Sequence, residues 1–257
     1  MKQHAIWLMG GLGNQAFQLN QGLFLKTLGL DVVFIDNLLQ KNFLTSRILN
    51  WTCHGKYCDE IFDIETVTSK TLLPALAAKV YQSEYSRFYE KYINNTKNLK
   101  SKNLFGYFQS SLEINQIALV LPENKNILLE GSNYVVHLRF GDALRPKENI
   151  SYYKKALRLA KEMYPKSIWT IVTDDKSQAE NIVNEISGFK YKFNNGSVVD
   201  DFLLLCSCDK IICSNSTFSW WGAQLNKKPS TIIASSLLFK YLPMFSNEKE
   251  VILIGDK

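Results

Sequence analysis

The chain has 257 residues, of which 46% are hydrophobic and 21% charged, with 13 Gly, 6 Pro and a formal net charge of +6. This balance excludes a disordered or fibrous protein and allows one large globule or two halves. A positive charge of this size suits an anionic substrate, a nucleic acid or an anionic membrane surface and does not choose among them.

From the amino end, Ala5 to Met9 is a predicted strand, Gly10 to Gly13 a loop, and Asn14 to Leu28 a helix with Phe17, Leu23, Phe24 and Leu28 along one side. The first apolar run is too short for a secretory leader and passes into glycines, so export is not expected. Asp31 to Ile35 is a second strand, ending at Asp36. Gly11-Leu12-Gly13-Asn14-Gln15-Ala16 fits the dinucleotide-binding pattern, with Asp36 where a ribose-binding acid would stand. Against that reading, Asn14 and Gln15 are long polar residues where a pyrophosphate approaches bare backbone. A tight strand-helix turn without a ligand is the remaining reading.

Residues 61–102 are helical in pattern with strongly mixed charge, and Leu121-Pro122-Glu123-Asn124-Lys125-Asn126 is the most linker-like stretch. The expected domains are therefore 1–122 and 123–257. In the second, strands at Tyr134–Phe140, Ile168–Thr173, Lys210–Cys213 and Thr231–Ala234 alternate with helices near Tyr152–Met163, Ser177–Ile186, Asp200–Cys206 and Phe218–Leu225. Val251 to Ile254 reads as a closing strand. The fold class is α/β, with mainly parallel sheets in both halves. Nowhere do about 18 apolar residues follow one another, so no membrane span is expected.

The five cysteines are an odd number, and Cys206, Cys208 and Cys213 fall in a buried-looking segment, which suits reduced thiols in a cytosol. Cys53 and Cys58 flank His54, but no second pair lies at zinc-finger spacing. With only His4, His54 and His137, a histidine-rich metal centre is excluded, and there is no G-x-S-x-G nucleophile elbow.

Three constellations carry chemistry. In Val135-Val136-His137-Leu138-Arg139-Phe140-Gly141-Asp142, strand alternation sends His137 and Arg139 to one face, and a guanidinium can bind phosphate oxygens bidentately. Asp142 follows as a base or orienting group; a solvated Arg-Asp pair is the competing reading. Ser214 to Ser219 lie at the carboxyl end of the Lys210 strand, where open α/β sheets bind ligands. The first amides of the next helix and the hydroxyls of Ser216 and Thr217 suit a phosphate, or else form an ordinary N-cap ahead of aromatic core. Asp200 and Asp201 open another helix, where a carboxylate either caps it or accepts from N1–H and the 2-amino group of guanine. Thr173-Asp174-Asp175 allows the same two readings.

Four segments in this order resemble the bacterial α-1,2-fucosyltransferases of glycosyltransferase family 11 over almost the whole chain. They are Gly10 to Gln18, Gly106-Tyr107-Phe108-Gln109-Ser110, His137 to Asp142, and Ser214 to Ala223. The resemblance implies a GT-B-like fold of two facing Rossmann-type halves, acceptor-side first and donor-binding second. It also implies GDP-fucose as donor, inversion, and no metal or other cofactor. The acceptor it suggests is the 2-hydroxyl of a terminal β-galactoside in a surface glycan or O-antigen repeat; a lipid carrier for that acceptor is suggested by the basic helix at Lys154 to Lys161 alone. Carried over by motif, His137 and Asp200 contact guanine, Arg139 the pyrophosphate, and Ser216 and Thr217 the phosphates, while Asn14 borders the sugar-phosphate. Arg139 and Asp142 are the expected catalytic residues.

Phe140 departs from the family pattern by replacing the second arginine of H-x-R-R, which leaves another GDP-deoxyhexose such as GDP-colitose as the alternative donor. A helix carrying Lys154, Lys155, Arg158 and Lys161 is either a solvated face or a contact for anionic lipid. The expected location is the cytoplasm, at the inner face of the membrane, with no nucleic-acid partner.

Overall fold

The computed structural model describes residues 3–41, 55–71, 103–109, 117–125, 133–141, 146–228, 231–240, 242–245 and 249–255. The chain divides into two compact units, residues 1–122 and 123–257.

In the first unit, β1 (His4–Trp7), β2 (Val32–Ile35) and β3 (Asn103–Leu104) form a parallel sheet in the order β2-β1-β3. Helix α1 (Leu12–Thr27) crosses between the first two strands, and Gly22 lets it approach closely: a Cβ there would lie 2.3 Å from Phe34 Cε1. Leu28, expected on the apolar side, is instead the exposed C-cap of α1.

Much of the buried side of α1 is polar, and its amides tie loops to the helix. Gln15 Nε2 donates to the carbonyls of Gly10 and Gly55 at 2.9 and 2.8 Å. Gln18 accepts from the Met9 amide and donates to the Gly106 carbonyl, both at 2.9 Å. Asn20 Oδ1 accepts from the amides of Ala118 and Leu119 at 2.8 and 3.0 Å. A buried amide side chain must find such partners, so these residues serve as fasteners.

Asp36 is also fully engaged. It accepts from Thr66, Thr68 and Gln40 and pairs with Lys56 at 3.2 Å. Burial pushes its carboxyl up, but these hydrogen bonds and the lysine outweigh burial and hold it below the usual range. The ribose-binding role considered for it has no support in this arrangement.

Short helix α2 (Cys58–Phe62) ends at Asp63, whose φ of 52° turns the chain out of the helix. Residues 63–71, expected to be helical, are not; Val67 pairs alongside Ile35. Ile64, Thr66, Val67 and Thr68 are β-branched and favour that extended path. Residues 72–102 of the same expected helix lie outside the described residues.

The second unit is a six-stranded parallel sheet of β4 (Tyr134–Leu138), β5 (Ile168–Thr173), β6 (Lys190–Phe193), β7 (Lys210–Ile212), β8 (Thr231–Ser235) and β9 (Glu250–Ile254). Its order is β6-β5-β4-β7-β8-β9. Between strands run α3 (Pro146–Met163), α4 (Lys176–Asn184), α5 (Val198–Leu205) and α6 (Thr217–Leu225). Tyr152, Tyr153, Ala156, Leu157 and Ala160 make a helical stripe that buries α3 against Val136, Leu138, Trp169 and Ile171. The basic side of α3 is largely fastened to its own unit: Lys154 pairs with Glu185 at 2.7 Å, Lys155 donates to the Gly255 carbonyl at 3.4 Å, and Lys161 donates to the Ser187 carbonyl.

Cys206, Cys208 and Cys213 are buried free thiols, as is Cys58 in the first unit. Burial pushes all four thiols up, Cys208 to about 12 and Cys58 to about 11.

Candidate functional site

Counting the strands of the second unit from β4, their order reverses between β4 and β7, which lie side by side with Val136 beside Ile212. Open α/β sheets bind ligands outside the carboxyl ends of the strands at such a reversal. Two of the motifs emerge there. Arg139 follows β4 directly, and Ser214 to Ser216 link β7 to α6.

His137 joins them. Its buried ring places Nδ1 2.5 Å from Ser219 Oγ and 3.0 Å from Ser214 Oγ. Ser214 Oγ lies 2.8 Å from Ser216 Oγ and 3.1 Å from Ser219 Oγ, which in turn accepts from the Ser214 amide at 3.1 Å. Ser216 is the N-cap of α6 and accepts from the Ser219 amide at 3.2 Å. Phe218 sits between the His137 ring and Phe202 of α5, at centroid distances of 5.1 and 5.3 Å. Burial, reinforced by the neighbouring Arg139 charge, lowers the His137 pKa to about 3. The imidazole is therefore neutral at ordinary pH and fixes the loop as a hydrogen-bonding group.

Arg139 has a half-exposed side chain whose Nε lies 3.2 Å from Asp174 Oδ2. Its backbone amide donates to the Tyr153 hydroxyl, which donates to its carbonyl, each at 3.1 Å. Phe140 turns the other way, packing edge-on against the Tyr153 ring at 5.8 Å. Asn215, next to the cluster, is tied to α3 through Asn149 at 2.7 Å.

The acidic pairs divide their work. Asp175 caps α4 by accepting from the Gln178 amide at 3.0 Å. Asp200 completes a capping box with Ser197, its Oδ2 accepting from the Ser197 amide and hydroxyl at 2.7 and 2.8 Å. Those bonds hold its carboxyl below the usual range. Asp201 is half-buried and accepts from Asn194 at 2.7 Å, and burial raises its carboxyl.

Among the expected site residues, His137, Arg139, Ser216 and Thr217 thus gather at one set of strand ends, and Asp200 opens α5. Asn14 belongs to the first unit, where it accepts from Gln109 at 2.9 Å and so joins the first two signature segments. Gly10, at φ 77°, has to be glycine: a Cβ would lie 2.9 Å from Asn14 Nδ2 and 3.1 Å from Tyr107. Asp142 lies outside the described residues. Among the described residues no group of three or more His, Cys, Asp or Glu could hold a metal, and no helix is long and apolar enough to cross a membrane.

The Glycosyl transferase family 11 model matches residues 2–248. The chain belongs to glycosyltransferase family 11. It is 30% identical over 286 residues to the O-antigen biosynthesis glycosyltransferase WbnK of Escherichia coli, covering 89% of this chain and 92% of that one. An α-1,2-colitosyltransferase of Escherichia coli is 26% identical, with 85% and 86% covered. Among solved structures, the fucosyltransferase NodZ from Bradyrhizobium superposes with a TM-score of 0.55 at 13% identity, covering 89% of this chain and 95% of that one. NodZ soaked with GDP-fucose gives 0.56 at 11% identity, with 92% and 96% covered. These last likenesses concern the fold, which is GT-B-like, with a Rossmann-type parallel sheet in each unit.

The family 11 protein is accordingly a glycosyltransferase, with a nucleotide-sugar donor and a glycan acceptor. Sequence reasoning did not find the partners that order its strand ends: Tyr153, Asp174, and Ser214 and Ser219 as ligands of His137. Only Asp174 carried a signal, because a Thr-Asp-Asp at the end of a strand next to β4 must come close to Arg139.

Proposed function

We propose that this glycosyltransferase moves L-fucose from GDP-fucose to the 2-hydroxyl of a terminal β-galactoside in a surface glycan or O-antigen repeat, forming an α-1,2 linkage without a metal. The observation that carries this reading is the convergence of Arg139 with the serine-rich start of α6 at the strand reversal of a family 11 chain. A guanidinium and the amides of a helix start are the groups that bind a diphosphate and offset the charge that grows on it as it leaves.

In the proposed reaction the bond between the fucose anomeric carbon and the diphosphate oxygen breaks through an oxocarbenium-like transition state. The acceptor hydroxyl attacks the opposite face, so a β-linked donor gives an α product. Asp142 takes the proton of that hydroxyl. Ser216 and Thr217 contact the phosphates, Asn14 borders the sugar-phosphate, and His137 and Asp200 border the guanine. The first unit holds the acceptor and the second the donor, with the acceptor on a lipid carrier at the inner face of the cytoplasmic membrane.

Phe140 and the colitosyltransferase relative favour a second reading, in which the donor is another GDP-deoxyhexose such as GDP-colitose. One experiment separates them: incubate the purified protein with GDP-fucose or GDP-colitose and a panel of β-galactosides in a chelator, then measure GDP release and product linkage. The first reading expects an α-1,2-fucosyl product unaffected by the chelator. Turnover of GDP-colitose alone would transfer the conclusion to the second, and absence of GDP release from both donors would remove it.

A further inference from the structure

We infer that Asp174 is a positioning residue of the donor site, setting both the plane of the Arg139 guanidinium and the backbone at the end of β4. This rests on the proposed binding of a GDP-sugar by Arg139.

The register of the sheet begins the argument. Leu138 lies beside Thr173, so the next residues of the two strands, Arg139 and Asp174, emerge as neighbours. One carboxylate then takes three donors. Asp174 Oδ1 accepts from the Phe140 amide at 2.9 Å, while Oδ2 accepts from the Gly141 amide at 2.9 Å and faces Arg139 Nε at 3.2 Å. Two successive amides and a guanidinium call for an ionised carboxylate, which only accepts.

Gly141 is part of the device, since a Cβ there would lie 2.9 Å from Asp174 Oδ2. The carboxylate is held from its own side as well, because Asp175 caps α4 and fixes the peptide that follows. A guanidinium is rigid and planar, so securing Nε orients the whole fork. An arginine ordered before the ligand arrives loses less side-chain freedom on binding.

Charge and geometry make opposite predictions here, which gives the test its direction. Asp174 is an anion beside a proposed diphosphate site, so on charge alone Asp174→Asn would tighten GDP. If Asp174 acts by orienting Arg139, the same substitution weakens GDP, by about 10-fold if one charge-assisted contact sets the scale.

The experiment is calorimetric titration of GDP into the full chain and into Asp174→Asn, Arg139→Ala and the double variant. The inference expects the roughly 10-fold loss for Asp174→Asn and little additional loss in the Arg139→Ala background, because one residue acts through the other. Unchanged or tighter GDP binding by Asp174→Asn, or fully additive losses, would overturn it while leaving the donor reading intact. No heat with the unsubstituted chain would instead overturn the donor reading and this inference with it. Should Asp174→Asn fail to fold, Gly141→Ala displaces the carboxylate without removing it; a comparable loss is expected, and wild-type GDP affinity in that variant overturns the inference.

Discussion

Arg139 stands at the end of a strand with its backbone clasped by Tyr153 and its side chain against Asp174. If it offsets charge on the leaving diphosphate, Arg139→Ala should lower the transfer rate by about 10²-fold or more and weaken GDP, as steady-state rates and calorimetry would report. Asp142→Asn should separate the two properties, abolishing transfer with GDP binding retained; an active variant would remove Asp142 from the role of base. His137 makes a different kind of prediction. Its pKa is about 3 in the folded protein against an ordinary 6.5, so the unfolded chain binds a proton that the folded chain refuses. The His137 contribution is therefore undiminished above pH 6.5 and is lost as pH falls toward about 3, by up to about 1.4 kcal/mol per pH unit. Denaturant unfolding between pH 4.5 and 6.5 should show a steeper pH dependence for the wild type than for His137→Asn. Alternation along a strand was enough to place Arg139 opposite Phe140 in the sequence. The linkage of His137 to Ser219 was not legible, because it joins residues 82 apart through the first turn of a helix.

At the level of elements, the βα alternation of the second unit was readable because each strand is a short apolar run and each helix has an amphipathic or capped start. Strand β6 is hard to read from sequence: Lys190-Tyr191-Lys192-Phe193 is a charged strand that, among the described residues, pairs with β5 alone at the sheet edge. The start of α3 at Pro146, rather than near Tyr152, was hidden because its first turn carries Lys147, Glu148 and Asn149 and no apolar stripe. Helix α5 illustrates how a cap competes with a binding role, since Asp200 was legible as either. Ser197→Ala removes the N-cap while leaving the Asp200 carboxylate, and should cost about 1 kcal/mol in chemical unfolding. In the first unit, Gly22→Ala should cost about 1–3 kcal/mol by overpacking, because its new methyl meets the Phe34 ring; a melting temperature equal to that of the wild type would contradict the close approach of α1 to β2.

Across the whole molecule, a ligand that binds only the folded state raises stability with the logarithm of its concentration relative to its dissociation constant. GDP at a hundred times its dissociation constant should add about 2.7 kcal/mol, with or without chelator, whereas NAD and UDP should add nothing. The buried thiols extend this logic to kinetics. Cys206, Cys208 and Cys213 sit in the interior of the second unit with their thiolate forms suppressed. An alkylating reagent can reach them only when that interior opens, so the pace of modification times the opening itself, and a bound nucleotide should slow the clock without touching a single sulfur.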